Sequence, residues 1–459
     1  MRITLLSFLV LSLFVLSCRK DDKIDTGTNL RLQFSTDSLL FDTVFTSSGT
    51  TNRVLKIFNY NKNSVVISDL KLAGGANSPF KININGVAAD ALQNIKIKGN
   101  DSIYVFVKAF IDPNNADSPF LVEDELQITL NGNEQKIPIA AYGQNAVYLN
   151  KTVIATNTTF LKGKPYIIYD YAIVNPNVVL TINPGARLYF HKDAKILVSG
   201  TLNALGALTD SITFTSDRTE RIYDDEPGQW EGIHILKPSI NNKINYAVVK
   251  NALAGIRVDS LSNNANPKLL LSNSIIKNHE VAGVLGYTAS ITAINNLMYN
   301  CGQYLVVGLY GGDYRFYQNT LANFNYNFPR KTPSVYFNDN LNGDANKVYA
   351  LNTQFYNNII YGSLNKELGF DKIGNLGFAL DFQNNDIKTD NQDLGTSNIY
   401  NSDPLFLDSR RENYQIVSNS PINGLGKDLT SNFYFTDYLS KDLTGKNRVF
   451  PSSLGCYEK

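Results

Sequence analysis

Between residues 248 and 362 the chain repeats one short pattern: two apolar residues, one variable residue and a turn former. It reads Val248-Val249-Lys250-Asn251, Ile275-Ile276-Lys277-Asn278, Leu297-Met298-Tyr299-Asn300, Thr320-Leu321-Ala322-Asn323 and Ile359-Ile360-Tyr361-Gly362. The second positions fall at 249, 276, 298, 321 and 360, so the spacings are 27, 22, 23 and 39 residues. A period of that size with one long insertion suits a coil whose every turn holds three short strands and three bends. One turn cannot bury its own apolar face, but stacked turns pair each strand with its counterpart above and below. Asn suits the bends because it tolerates the left-handed backbone region and can bond locally. Four Asn at one offset predict a ladder of side-chain amides along the coil.

Upstream, residues 178–217 consist of short apolar runs at 178–182, 187–190, 195–198 and 212–215. Turn signals such as Asn183-Pro184-Gly185 and Ser199-Gly200 close them. Leu180-Thr181-Ile182-x-Pro184-Gly185, Leu197-Val198-x-Gly200-Thr201-Leu202 and Gln229-Trp230-Glu231-Gly232-Ile233 resemble the opening turns of right-handed parallel β-helix (pectin-lyase-like) proteins. Asp403-Pro404-Leu405-Phe406, Asp442-Leu443-Thr444-Gly445 and Leu454-Gly455-Cys456-Tyr457 resemble that group's C-terminal cap. The likeness spans residues 165–459 and implies fold and capping, not chemistry. About 23 residues per turn predicts roughly 11–12 turns.

Residues 30–147 have a different rhythm. Strand-like runs recur at 39–45, 53–60, 65–72, 80–84, 95–97, 103–111, 125–130 and 136–142, with turns rich in Asn, Gly and Asp between them. Asn131-Gly132 between two runs predicts a tight hairpin. About eight strands in this length predict a β-sandwich, because one sheet face must be covered. The segments 54–60, 101–107 and 124–143 resemble immunoglobulin-like domains of the abnormal-spindle and Hydin type, which implies a spacer or binding platform.

The first residues carry Arg2, an apolar run at 3–16 and then Ser17-Cys18. That run is short for a membrane span and reads as a processing signal. Its end resembles the lipobox of bacterial lipoproteins, which implies lipidation of Cys18. Arg19-Lys20-Asp21-Asp22 resembles a signal for outer-membrane surface display, and residues 18–29 are polar enough for a tether. Only Cys301 and Cys456 then remain, which excludes a disulfide framework. The expected organisation is all-β: signal peptide 1–17, lipidated tether 18–29, β-sandwich 30–147 and right-handed parallel β-helix 148–459.

Chemistry is sparse. The 42 Lys and Arg balance 41 Asp and Glu, so there is no basic field to bind nucleic acid. His191, His234 and His279 show no ligand spacing. No motif of the pectin hydrolases or lyases is present. Asp224, Asp225 and Glu226 form an acidic turn that would take Ca²⁺ if it bound any metal. The competing reading is a solvated turn neutralised by its arginines. No other cofactor is expected.

The variable repeat position places Lys250, Lys277, Tyr299 and Tyr361 in one outward column, where cation beside aromatic suits sugars. Tyr310, Tyr314, Arg315, Tyr326 and Arg330 form an aromatic and basic stretch beside it, partly within the long insertion. Insertions on coils of this kind often carry binding. The expectation is a lipid-anchored, surface-exposed outer-membrane protein, monomeric and non-catalytic, that binds a glycan or a surface partner. A polysaccharide lyase or hydrolase, and a purely structural envelope protein, are the alternatives.

Overall fold

In the computed structural model, residues 23–50, 52–326, 329–374 and 376–459 are described. Cys18, read from the sequence as the site of lipidation, lies outside them, as does the segment expected to be a signal peptide. The chain divides into two compact units, one ending at Asn145 and one comprising Ala146–Lys459.

The first unit is a sandwich of two five-stranded sheets. One runs Gln33–Phe34, Arg53–Asn59, Asp101–Ala109, Phe80–Ile84, Val87–Ala88; the other Leu39–Phe45, Asn133–Gln144, Phe120–Leu130, Val65–Leu72, Ala91–Ile97. Period-two alternation sets the faces. In Asp101–Ala109, Ile103, Val105, Val107 and Ala109 are buried, while the residues between them are exposed or half-buried. Asn131 and Gly132 both have positive φ (48° and 80°), and Leu130 pairs with Asn133 across them. They form the two-residue hairpin turn that their sequence predicts.

The second unit is a parallel β-helix. Its 26 strands form one continuous sheet, and strand n mostly pairs in parallel with strand n+3, so each turn of the coil has three sides. The right-handed rule for connections between parallel strands sets its hand. The repeat read from the sequence is one of these sides. Val249 pairs with Ile276, Ile276 with Met298, Met298 with Leu321 and Leu321 with Ile360. This side is eleven strands deep among the described residues, from the start of Val147–Ile154 to Ile399–Tyr400. The count falls within the 11–12 turns expected, with loops at 217–231, 260–268 and 329–334 set between the strands. Stacked side chains fill the interior. Phe316, Phe355 and Phe382 lie with ring centroids 4.7 and 4.6 Å apart and planes nearly parallel, and Phe190 stacks on Trp230 at 3.9 Å.

The amide ladder exists, but in another column. Asn296, Asn319, Asn358, Asn385 and Asn398 each stand just before a strand of the repeat side. Each of the first four donates from its backbone N–H and its Nδ2 to the Oδ1 of the next, at 2.9–3.0 Å. Of the four Asn chosen from the sequence, 251, 278 and 300 occupy the left-handed region (φ 68°, 56° and 53°), whereas Asn323 does not. They mark the opposite end of the strand and do not bond to one another.

Residues 403–459 do not simply close the end of the coil. Tyr414, Leu443 and Cys456 pack on Leu297, Tyr299 and Ala322. Ile416, Ile422 and Leu454 pack on Ile359, and Leu429 and Leu439 on Leu270, Ile294, Tyr317 and Tyr356. The residues one step before the ladder clamp this wrap. Asn295 Nδ2 donates to Lys441 O (3.3 Å), Asn357 Nδ2 to Lys427 O (2.9 Å) and Asn384 Nδ2 to Leu425 O (2.8 Å).

Candidate functional site

The wrap changes the surface on which binding was expected. Lys250, Lys277, Tyr299, Ala322 and Tyr361 do stack in register, yet the column is not an open face. Tyr299 is buried, and its hydroxyl donates to Glu412 Oε2 at 2.7 Å. Burial, with Glu412 beside it, pushes the Tyr299 phenol far above its ordinary range. Lys277 Nζ lies 2.6 Å from the same oxygen and 3.7 Å from Asp225 Oδ1. Lys250 Nζ donates to Asp224 O at 3.3 Å, and Tyr361 is half-buried beneath Lys388 Nζ, 4.8 Å from its ring centre. The physical reason is visible in the neighbouring positions. Ile275, Leu297 and Ile359 point outward on this side, and apolar residues stacked turn upon turn require a cover, which residues 403–459 supply.

Two further expectations need correction. Tyr314 is fully buried in the coil interior against Phe337, because in its strand it shares a face with Phe316. Arg330 is no surface cation. It forms a completely buried pair with Glu367 at 2.6 Å, and also donates to Asn323 O and Thr332 O. In the acidic turn, Asp225 Oδ1 accepts from Asn278 Nδ2 at 2.9 Å and lies 3.7 Å from Lys277 Nζ, and Asp224 Oδ1 lies 3.9 Å from Lys250 Nζ. No cluster of three or more His, Cys, Asp or Glu arranged to hold a metal occurs among the described residues. Arg315 is paired with Asp313 at 2.9 Å, and Tyr310 packs against Tyr287. Neither meets the others.

What the fold does bring together is a cleft of about 390 Å³, lined by Asp225, Pro227, Asn278, Asn300, Asn325, Tyr326, Arg410, Arg411 and Glu412. The coil contributes one wall. Asn278 and Asn300 sit at the same bend of successive turns, and Asn325 (φ 45°) follows one turn on. The acidic loop contributes Asp225, and the wrap contributes residues 410–412. Tyr326 is half exposed, with the Arg410 guanidinium 5.6 Å from its ring centre and its hydroxyl 2.7 Å from Ser409 Oγ. The Oδ1 of Asn300 is buried without a partner among the described residues, an acceptor that costs free energy until it is bonded. Asp225 and Tyr326 were legible as candidates. Arg410, Arg411 and Glu412 were not, because they lie more than 80 residues further along the chain; the outward apolar column was the signal that something must cover it.

His279 and His191 are each tied to partners of their own. His279 is buried, accepts from Ala252 N at Nδ1 (3.1 Å) and faces Val249 O with Nε2 (3.1 Å). Burial lowers its pKa to about 4. His191 is exposed and pairs with Asp217 at 2.7 Å.

No family model matches the chain, and no curated protein matches it. Solved structures that it resembles include a family 123 glycoside hydrolase from Clostridium perfringens, studied for glycolipid glycan hydrolysis. That match is 11% identical, covers 24% of this chain and only 26% of the other, and has a TM-score of 0.18. Another is the catalytic domain of a family 87 glycoside hydrolase, an alpha-1,3-glucanase, in complex with nigerose. It is 11% identical, covers 74% of this chain and 81% of the other, and has a TM-score of 0.19. At those scores neither superposition bears on what this chain does.

Proposed function

We propose that this chain is a lipid-anchored protein of the outer-membrane surface whose β-helix binds a glycan, without cleaving it, in the cleft between the acidic loop and the wrap. The observation that carries the reading is the lining of that cleft. Amides, carboxylates and guanidinium groups are the partners that sugar hydroxyls accept, and Tyr326 offers a partly open ring face for stacking. The unpartnered Asn300 Oδ1 supplies an acceptor already desolvated. Lipidation of Cys18 and surface display rest on the N-terminal sequence, and the immunoglobulin-like module would serve as a spacer.

The carboxylates of Asp225 and Glu412 lie on either side of Lys277 and suggest hydrolysis as a second reading. Glycoside hydrolysis needs one carboxyl group with a proton to deliver to the leaving oxygen. Oε2 of Glu412 already accepts from both Lys277 and Tyr299, which favours binding.

Binding of the protein to a panel of neutral and acidic polysaccharides tests the proposal, read by pull-down and by appearance of reducing ends or unsaturated uronide. Retention of at least one glycan, weakened about tenfold or more by Tyr326→Ala, is the expected result. No retention by any glycan would sink it, and new reducing ends would replace it with the hydrolase. Labelling cells with a palmitate analogue, lost in Cys18→Ala, and protease shaving of intact cells test the anchor and the display.

A further inference from the structure

The two outer faces of the sandwich differ in kind. An antiparallel sheet packed on a core ordinarily shows polar residues to solvent. The sheet that holds Phe120–Leu130 and Asn133–Gln144 does so. Lys71, Glu125, Gln127, Thr129 and Lys136 alternate there with buried residues, and Lys136 pairs with Glu125 at 2.6 Å. The other sheet does not. In Arg53–Asn59 and Asp101–Ala109 the side chains between the buried ones include Val54, Lys56, Phe58, Tyr104 and Phe106, and Tyr60 continues the first row. Val54 is 45% exposed, Tyr60 61% and Tyr104 43%.

These side chains form one surface. Val54 lies opposite Phe106, and Lys56 opposite Tyr104. Phe58 stacks on Tyr60 with ring centroids 5.3 Å apart, and Tyr104 on Phe106 at 6.3 Å. Lys56 Nζ joins the two rows, 5.1 Å from the ring centre of Phe58 and 5.2 Å from that of Tyr104. Lys108 stands on the same face, and neither lysine has an acidic partner among the described residues. Aromatic rings set beside free ammonium groups match the boundary of a bilayer. There a tyrosine ring lies at the depth of the headgroups, and lysines meet anionic phosphates.

The chain enters the sandwich beside this surface. Ser64 N donates to Lys23 O at 3.1 Å and Asp25 N to Ser64 O at 2.8 Å, which fixes the first described residues to the turn that follows Tyr60. Five positions separate Cys18 from Lys23 (23 − 18), so a lipid on Cys18 can stand no further than about 18 Å of chain from that turn.

We propose that this face of the sandwich rests on the lipid surface, with Phe58, Tyr60, Tyr104 and Phe106 at headgroup depth and Lys56 and Lys108 on anionic lipid phosphates. The docking rests on the acyl anchor proposed above and adds an orientation to it. An acyl chain holds a protein at a membrane without choosing which side faces the lipid; an aromatic and basic face chooses. A bilayer is also the one occupant that so short a tether brings within reach of this face whatever else is present.

The test uses the acylated protein in vesicles of phosphatidylethanolamine and phosphatidylglycerol whose acyl chains carry bromine, a contact quencher of tryptophan. Tyr104→Trp puts a reporter on the aromatic face, and Tyr142→Trp puts one on the outer face of the other sheet, where Tyr142 is 53% exposed. The native Trp230 is buried against Phe190 and gives both chains the same background. Quenching at least about threefold stronger for Tyr104→Trp than for Tyr142→Trp, and lost when Lys56→Glu and Lys108→Glu are added, is the expected result. Equal quenching at the two positions, none at 104, or quenching unchanged by the charge reversals would each overturn the proposal. A glycan or a protein seated on this face would give the second of these. Should Tyr104→Trp lower Tm, Phe106→Trp carries the reporter on the same row. Mass spectrometry of the purified chain separates the two readings. Absence of an acyl group at Cys18 overturns anchor and docking together, whereas an acylated chain unquenched at 104 overturns the docking alone.

Discussion

Two buried ionisable groups push the stability of the coil in opposite directions with pH. His279 has its pKa lowered to about 4 by burial, against 6.5 for the free side chain. The unfolded chain therefore takes up a proton first, and stability falls as pH drops from about 6.5 towards 4. A shift of that size corresponds to about 3 kcal/mol. Urea unfolding at pH 7 and pH 4 should show this loss, and His279→Gln should flatten the slope while costing stability at pH 7. Asp386 is the reverse case. It is fully buried, neither oxygen has a partner among the described residues, and burial with Asp403 nearby raises its pKa well above the usual range. Its native form holds a proton that the unfolded chain releases, so its contribution is complete at low pH and is lost as pH rises towards the folded pKa. Asp386→Asn should raise Tm at pH 8 and leave it nearly unchanged at pH 3; a lower Tm at pH 8 would contradict this. Neither group announces itself in the sequence. His279 follows a repeat Asn and Asp386 stands in the column of Val248, Ile275, Leu297, Thr320 and Ile359, but burial is set by what the wrap covers. Arg330 makes the same point: it reads as a surface cation and is in fact half of a buried ion pair with Glu367. Glu367→Ala leaves that guanidinium uncompensated and should cost about 3–5 kcal/mol in urea unfolding.

At the scale of the element, the coil was legible because its period leaves no other way to bury alternate residues. The five repeat segments pair in the register that their alignment assigns. The ladder was placed at the wrong end of the strand because a repeat fixes spacing without saying which of its polar residues turns inward. The dipeptides Asn295-Asn296, Gln318-Asn319, Asn357-Asn358 and Asn384-Asn385 divide the work. The first residue takes the left-handed bend (φ 53–61°) and the second enters the ladder. Asn319 accepts from Asn296 N and Nδ2 and donates to Ala293 O, Tyr317 O and Asn358 Oδ1. Asn319→Ala strands those buried groups and should cost about 2–4 kcal/mol in urea unfolding, since each orphaned group carries a desolvation penalty of about 1–3 kcal/mol. Asn398→Ala, at the half-buried end of the ladder, should cost about 1 kcal/mol. Equal losses at the two positions would mean that the ladder is not cooperative.

At the scale of the whole β-helix, residues 403–459 perform two tasks that the sequence presents as one. They seal apolar columns on the side of the coil, and they deliver Arg410, Arg411 and Glu412 to the cleft. A resemblance between termini foretells that the chain will close its coil, but not that the closing segment runs back along the outward face and becomes a wall of the candidate site. The two tasks separate experimentally. A chain ending at residue 402 should expose Leu297, Tyr299 and Ile359, bind a hydrophobic dye and associate at micromolar concentration, losing glycan retention as part of a general collapse. Arg410→Ala leaves the seal intact, because none of the apolar contacts of the wrap passes through it. It removes the cation over Tyr326, worth about 0.5–1 kcal/mol at an exposed site. Retention should therefore weaken about two- to fivefold at unchanged Tm. If Arg410→Ala lowered Tm as much as truncation does, the wrap would be acting as a seal alone, and the cleft would be a by-product of packing rather than a place where a ligand is held.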